Sequence, residues 1–460
     1  MRVIELPPLA SHILFETALF ASVGYFLIGL DEIAVDLLWL ARAAWHFLVI
    51  DRVTPRLSVD ALPKSDGSAW FAVLIPAYDE AGVIGEMLDN ALEHYAGRNV
   101  HVFVGCYSCD PPTIDVVRRY QGPGLSLIVL QRSAGTTKGD CLNTLCRAIP
   151  EHEHRFDRRF AGFILHDAED VVDRYEIPVF AAFVERYAMI QLPVIPLPNS
   201  NSRLVGGHYC DEFAESHGKT MVVRQMLGAG LPSAGVGCMI RRDAIEAMVG
   251  HNKGSPFDEN CATEDYECGL RLAALGFDTA FLRVRAPNEF GLVATTAYFP
   301  SELGKALTQK TRWISGIALA GWDRMRWGRG LAENWMRMRD RIPVLSAVVS
   351  LAGYAAAIVA APMIASAWLG ASRPVVLGEG LADLIAANGL ILLWRMSFRA
   401  GFTARLYGVK QSLLAVPRIV VSNVIGILSV RRAIPKHLAE VRTGRVNWEK
   451  TAHIFPDSVL

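Results

Sequence analysis

Phe163-Ile164-Leu165-His166-Asp167-Ala168-Glu169-Asp170 reads as a short apolar strand that runs straight into three carboxylates. The same texture recurs upstream and downstream: Phe71 to Ile75, Val100 to Tyr107, Leu125 to Leu130 and Ala188 to Val194 are strand candidates, each bounded by turn residues or a helix start. Helical periodicity follows several of them, as in Val83 to Tyr95 and Ile114 to Tyr120. This alternation predicts an α/β fold, a doubly wound Rossmann-like domain over residues 68–320, with ligands at the carboxyl ends of the strands.

Acids gather at those ends. Asp79-Glu80 follows the first strand, Asp110 the second, and Asp167, Glu169 and Asp170 the fourth. Closely spaced carboxylates repel unless a cation lies between them. Magnesium or manganese, held by one or two carboxylates and substrate phosphates, would supply that charge. No GxGxxG follows a strand and no GxxxxGK[ST] occurs, so dinucleotide oxidoreductase and P-loop readings lose their main support. Taken singly, each motif has an ordinary explanation. Asp167 to Asp170 can be a solvated loop opening a helix. Thr263-Glu264-Asp265-Tyr266-Glu267 can cap the helical run Cys268 to Leu275. Gln309-Lys310-Thr311-Arg312-Trp313 can be a basic helix on a lipid surface, anchored by Trp313.

The 46 Lys+Arg balance the 46 Asp+Glu, which excludes an electrostatic nucleic-acid binder. With 52% hydrophobic and 20% charged residues, whole-chain disorder is excluded as well. A mean hydropathy of +0.25 reflects an apolar excess at the two ends of the chain. Ile342 to Ser372 carries no charge and exceeds the roughly 20 residues that span a bilayer core. Val375 to Trp394 is a second span, with Glu379 and Asp383 near its start, and Ile13 to Leu30 a third. No clean cleavage site marks Ile13 to Leu30 as a secretory signal. Asp31 to Val49 carries Asp31, Glu32, Asp36 and Arg42 and reads as an amphipathic helix on the membrane surface. Gln411 to Val430 reads as an interfacial helix, with Gln411, Arg418, Ser422 and Ser429 on one stripe.

Arg324 to Arg341 is basic, and Arg395 to Lys410 has four basic residues and no acid, which places the middle of the chain and the tail in the cytoplasm. The expected organisation is an N-terminal membrane unit over 1–67, the α/β domain over 68–320 and a basic interface segment over 321–341, then two spans over 342–398 and an interface helix with tail over 399–460. All eight cysteines lie between Cys106 and Cys268 and read as reduced cytosolic thiols; the pair Cys106 and Cys109 lacks the partners of a zinc site.

The motifs, taken in order, resemble the processive enzymes of glycosyltransferase family 2, the group of cellulose and hyaluronan synthases. The correspondence comprises the Asp-Glu after the first strand, a DxD-like cluster, a T-E-D and a QxxRW before membrane helices, together with Thr137-Lys138-Gly139-Asp140-Cys141-Leu142-Asn143. Gly29-Leu30-Asp31-Glu32, His166 to Asp170, Tyr209 to Glu215, Pro232 to Gly237 and Trp448-Glu449-Lys450-Thr451-Ala452-His453 are similar to the NfrB-type branch of inner-membrane, phage-adsorption glycosyltransferases. Some members of that branch carry a C-terminal module that senses cyclic di-GMP; this sequence stops at Leu460, so regulation by that nucleotide within it is not expected.

The resemblance implies a GT-A nucleotide-diphospho-sugar transferase domain with flanking transmembrane and interfacial helices. It implies metal-dependent, inverting transfer from a UDP-sugar to a growing polysaccharide in the bacterial inner membrane, by a multi-pass protein with a cytoplasmic catalytic domain. An N-acetylhexosamine is suggested by analogy with the NfrB-type branch. Asp79, Glu80 and Asp110 would contact the uridine side of the donor, with Lys138 also in substrate binding. Asp167 and Glu169 would present Mg2+ or Mn2+ to the diphosphate, Asp170 leaving open which carboxylate reaches the ion. Asp265 would be the general base with Glu264 beside it, Gln309 and Arg312 would hold the diphosphate, and Trp313 would stack on the acceptor sugar. The partners implied are the UDP-sugar donor, a glycan acceptor and the lipid bilayer, with an outer-membrane export partner left open. Two rivals stand: a single transfer to a lipid carrier such as a polyprenyl phosphate, and a non-catalytic membrane scaffold or receptor component. The polar stretch Asn199 to His217 reads either as acceptor-site lining or as a surface insertion.

Overall fold

The computed structural model describes residues 8–65, 67–131, 137–252, 254–370, 378–444 and 454–456. The Trp448 to His453 motif lies outside the described residues. Among the described residues, nine strands form the sheets: β1 Trp70–Ala77, β2 Val100–Tyr107, β3 Leu125–Leu130, β4 Phe160–Leu165, β5 Met189–Gln191, β6 Val194–Pro196, β7 Cys238–Arg241, β8 Thr279–Phe281 and β9 Thr295–Ala297. Seven of them make one sheet in the order β3-β2-β1-β4-β7-β5-β8, and β6 pairs with β9 in a small second sheet. Pairing in the large sheet is parallel except at β7, which runs antiparallel to both β4 and β5.

Successive side chains of a strand point to opposite faces, and β1 shows the consequence. Phe71, Val73 and Ile75 share a core with Ile84, Met87, Ile114 and Val117 from the helices Ile84–Tyr95 and Pro111–Arg118. Ala72 and Leu74 share another with Leu142, Leu145 and Ile149 of the helix Lys138–Phe156. Helices thus cover both faces, and the carboxyl ends of β1, β2 and β4 open on one edge. Phe455 is buried in the first of these cores, so the chain returns to the domain after its last long helix.

The run Ala188 to Val194 is not one strand. It divides into β5 and β6, in different sheets, at Leu192-Pro193, because proline has no N–H to continue a ladder. The four-residue β7 escaped the sequence reading altogether, being too short to show a period.

Among the described residues, three helices are long and apolar enough to cross a membrane: one near the N-terminus, Ile342–Trp368, and Glu379–Thr443. The last is broken at Gly408, whose φ of 80° and ψ of 173° only glycine adopts readily. The first departs from expectation, for Ile13 to Leu30 and the acidic stretch after it belong to one helix, Pro8–Trp45. Its acids are neutralised in place. Asp31 bonds Arg339 and the Trp335 indole N–H, Glu32 lies 2.6 Å from Arg395, and Asp36 lies 2.5 Å from Lys219.

The stripe on Gln411 to Val430 faces the α/β domain. Arg418 is fully buried and donates to Asp211 at 3.0 Å, to the Gln411 amide oxygen at 2.5 Å and to the Arg203 carbonyl at 2.7 Å. Leu413, Val416, Val420 and Val424 on this helix remain exposed.

Candidate active site

The loop after β1 is locked to the loop after β2. Asp110 caps the helix Pro111–Arg118, accepting the Thr113 N–H at 3.3 Å, and its other oxygen accepts the Asp79 N–H at 2.5 Å. Glu80 donates its backbone N–H to the Thr113 hydroxyl at 3.0 Å. Asp79 holds a φ of 54°, a conformation that fits the short polar side chain better than a bulky one. Both Asp110 oxygens are therefore engaged by backbone, and this carboxylate braces the two strand-end loops. Glu80, Tyr78 and Tyr107 line the adjoining cavity, the two tyrosines edge to face at 5.3 Å.

After β4 the three acids part ways. Asp170 turns inward: its Oδ2 accepts the Asp167 N–H at 2.9 Å and pairs with His166 Nδ1 at 3.0 Å. On its other side His166 Nε2 meets Glu176 at 3.2 Å, and Glu176 also accepts the Tyr95 hydroxyl. Burial alone would lower the His166 pKa, but Glu176 and Asp170 on either side hold it up at about 10. Asp167 and Glu169 are left partly open on the cavity.

Lys138, the first residue of its helix, lies 2.5 Å from Asp167 Oδ1 and 3.4 Å from the Gly235 carbonyl. Burial works against its charge, yet Asp167, Asp265 and Glu264 together raise its pKa. It thus joins the strand-end acids to those of the T-E-D segment.

Thr263 occupies the N-cap of the helix Glu264–Ala274, but its side chain makes no capping bond, so capping does not account for the acids that follow. Glu264 is buried, and burial plus the neighbouring Asp265 charge push its pKa up to about 7. Asp265 is also raised by burial, with Lys138 opposing. Its Oδ1 accepts the Tyr266 N–H at 2.7 Å. Gly235 makes room for the other oxygen: it has a φ of 76°, and a Cβ there would lie 2.2 Å from Asp265 Oδ2. The Tyr266 hydroxyl donates to Asp340 at 2.7 Å, and Asp340 accepts from Arg224 at 2.8 Å.

The helix Leu303–Trp313 supplies the remaining wall. Gln309 is buried with its amide oxygen unpartnered among the described residues. Lys310 turns away to Glu212 at 2.7 Å and lies 5.0 Å from the ring centres of Tyr209 and Trp313. Trp313 packs with Tyr209, Phe213 and Phe299 at 6.1, 6.3 and 6.4 Å. A cavity of about 530 Å³ is lined by Lys138, Asp167, Glu169, Glu264, Asp265, Gln309, Arg312 and Trp313. It reaches Arg339, Asp340 and Pro343, where the helix Ile342–Trp368 begins.

Gln309, Arg312 and Trp313 therefore face a protein cavity and do not simply mark a lipid-facing surface. Asn199 to His217 is no surface insertion either. It contains the helix Val205–Glu215, with Tyr209 fully buried and Glu212 and Phe213 on the cavity. Sequence reasoning missed Gly235 as the space beside Asp265, and Asp340 and Arg224 as the partners behind the Tyr266 hydroxyl; a φ requirement and distant partners leave no local pattern.

Hard carboxylate oxygens are the donors that Mg2+ and Mn2+ prefer, and Asp167 and Glu169 on one turn offer that set beside a cavity. The Lys138 ammonium at 2.5 Å shows that a positive charge is accommodated there. A second acidic group, Glu32, Asp36 and Glu215, lies within 4.8 Å of mutual approach. Lys219 fills it, at 3.6, 2.5 and 2.7 Å from the three, so this group is already neutralised by the protein.

Comparison with known proteins agrees with this geometry. Residues 68–316 match the family described as glycosyltransferase like family 2. Bacteriophage adsorption protein B of Escherichia coli (strain K12) is 34% identical over 463 residues, covering 95% of this chain and 62% of that protein. The chain thus spans 62% of the length of that relative. A mannosyltransferase from Pyrobaculum calidifontis, solved with GDP-Man and Mn2+, shares the fold with a TM-score of 0.52 at 16% identity, over 86% of this chain and 99% of that one. The acids at the strand ends, the GT-A fold and the match over more than half the chain lead to one conclusion: the protein belongs to the glycosyltransferase-like family 2.

Proposed function

We propose that this protein is a membrane-bound inverting glycosyltransferase that moves a sugar, an N-acetylhexosamine, from a UDP-sugar onto a growing polysaccharide. The observation that carries the reading is a single cavity holding Lys138, Asp167 and Asp265, open from the strand ends to the start of a membrane helix. The nucleotide lies against Tyr78, Glu80 and Tyr107, in loops that Asp79 and Asp110 brace. Asp167 and Glu169 hold the divalent ion, Mg2+ or Mn2+; Asp170, committed to His166, supports their turn. When bound, that ion supplies Lewis-acid stabilisation of the diphosphate.

Lys138 and Arg312 place positive charge where the diphosphate charge develops, Arg312 by forked hydrogen bonds, and Gln309 orients the same group. Asp265 takes the proton from the attacking acceptor hydroxyl on the face opposite the leaving group, which inverts the anomeric centre. Its raised pKa makes it a stronger base than an exposed Asp. Trp313 gives the acceptor sugar a stacking face. The catalytic domain lies on the cytoplasmic side of a bacterial inner membrane, with three crossings.

A second reading, one transfer to a lipid carrier, is favoured by the cavity reaching Pro343 at the start of a membrane helix. Purified protein with radiolabelled UDP- and GDP-sugars, with and without chelator, tests both. Metal-dependent UDP release with a ladder of products supports polymerisation. One discrete lipid-soluble product supports the second reading, and no nucleotide release with any donor rejects both.

A further inference from the structure

His217 stands on the cavity wall just beyond the helix Val205–Glu215, and only 8% of it is exposed. Its Nδ1 accepts the backbone N–H of Val194 on β6 at 2.9 Å. An imidazole nitrogen that accepts from an amide carries no proton, so the proton of the neutral ring sits on Nε2. The ring is held by Phe213 at 5.2 Å and by Phe281, edge to face, at 5.4 Å. Burial, with Arg283 adding to it, pushes the His217 pKa down to about 3, so the ring stays neutral across physiological pH. No described residue accepts a hydrogen bond from Nε2. The ring on the cavity wall is therefore a neutral N–H donor whose tautomer is fixed.

Its neighbours indicate what it meets. Phe213 lies 6.3 Å from Trp313 and 4.9 Å from Phe299, so His217 continues the aromatic wall that faces the acceptor sugar in the glycosyl-transfer reading. The nucleotide side is built from the loops after β1 and β2 instead. A fixed donor matches a sugar hydroxyl or an acetamido carbonyl and has nothing to offer an ammonium group.

We propose that His217 Nε2–H is a specificity-determining donor to a hydroxyl or acetamido oxygen of the glycan acceptor. This rests on the glycosyl-transfer reading of the cavity. It adds selection for N-acetylated or neutral sugars over their de-N-acetylated, cationic counterparts.

The test uses the full chain in lipid nanodiscs, saturated with UDP, and calorimetric titration with neutral cello- and chito-oligosaccharides and with de-N-acetylated chito-oligosaccharides. His217→Asn keeps an amide oxygen near Nδ1 for the Val194 N–H but loses the cavity donor. His217→Gln places an amide N–H near the Nε2 position. We expect His217→Asn to weaken neutral-oligosaccharide binding about fivefold, the loss of one hydrogen bond. His217→Gln should recover to within about twofold of wild type, and UDP affinity should be unchanged in both. Wild type should bind the cationic oligosaccharides more weakly than the neutral ones. Unchanged oligosaccharide affinity in His217→Asn, a parallel loss of UDP affinity, or no oligosaccharide binding by UDP-bound wild type overturns the role of His217. Wild type that does not bind UDP overturns the underlying reading itself.

Discussion

At Asp265 a carboxylate has to be buried, basic and free to reach an acceptor hydroxyl, and each requirement is met by a different residue. Burial raises its pKa, Lys138 keeps it ionisable, and Gly235 leaves space beside Oδ2. Asp265→Asn preserves shape and removes the base. Transfer should fall by about a thousandfold, within the usual range for a lost general base, while UDP binding stays unchanged. Steady-state nucleotide release and calorimetric UDP titration check the two halves. Near-normal transfer would remove Asp265 from the base role. The contrast with Asp170 is instructive, because three acids on one turn divide into two carboxylates partly exposed on the cavity and one buried structural partner of His166. That division depends on Glu176, just beyond the motif, and on Tyr95, far from it in sequence, and so could not be read from the acids alone.

The long helices show why some elements were legible and others not. A strand buried on both faces advertises itself by continuous apolar residues, and β1, β2 and β4 were visible for that reason; β3, the half-buried edge strand, carries the same kind of run. β7 and β8 have four and three residues, and only their neighbours make them strands. The acidic half of Pro8–Trp45 suggested a separate surface helix because its compensating partners, Lys219, Arg339 and Arg395, are distant in sequence. The stripe on Gln411 to Val430 was visible, its target Asp211 was not. Burial pushes the Asp211 pKa up to about 6 despite the attraction of Arg418. A carboxyl whose folded pKa is raised binds more protons folded than unfolded, so its contribution to stability declines as pH rises from about 4 to the folded pKa. Arg418→Met removes the attraction, raises that pKa further and extends the decline to higher pH. The variant should lose about 3–5 kcal/mol at pH 8 and clearly less at pH 5. Asp211→Leu with Arg418→Met should regain most of it at both. Denaturant unfolding in detergent decides the matter, and an equal loss at both pH values would contradict the ion-pair account.

Across the whole molecule, one cluster of opposite charges stands out at the junction of membrane helices and catalytic domain. Lys219 is the centre of that junction. It joins Glu32 and Asp36 of the first helix to Glu215, while Arg395 and Arg399 of the last helix approach Glu32 and Glu215 at 2.6 and 3.0 Å. The segment that carries Glu215 and Lys219 also carries Glu212, Phe213 and His217 on the cavity, so the membrane helices hold one wall of the active site. Lys219→Met would leave three carboxylates within 4.8 Å of one another and remove the one charge that all three share, the nearest to Asp36 and Glu215. Buried like charges of this kind are strongly unfavourable unless a cation replaces the lost one. The variant should unfold at a lower temperature than wild type in detergent, and millimolar Ca2+ or Mg2+ should raise its midpoint while leaving wild type unmoved, because in wild type the ammonium already occupies the place. Transfer activity should recover along with the midpoint if the wall is held through this cluster. A variant as stable as wild type, or one indifferent to divalent ions, would mean that Arg395, Arg399 and Arg339 suffice to balance the acids and that Lys219 is not what fastens the domain to its membrane helices.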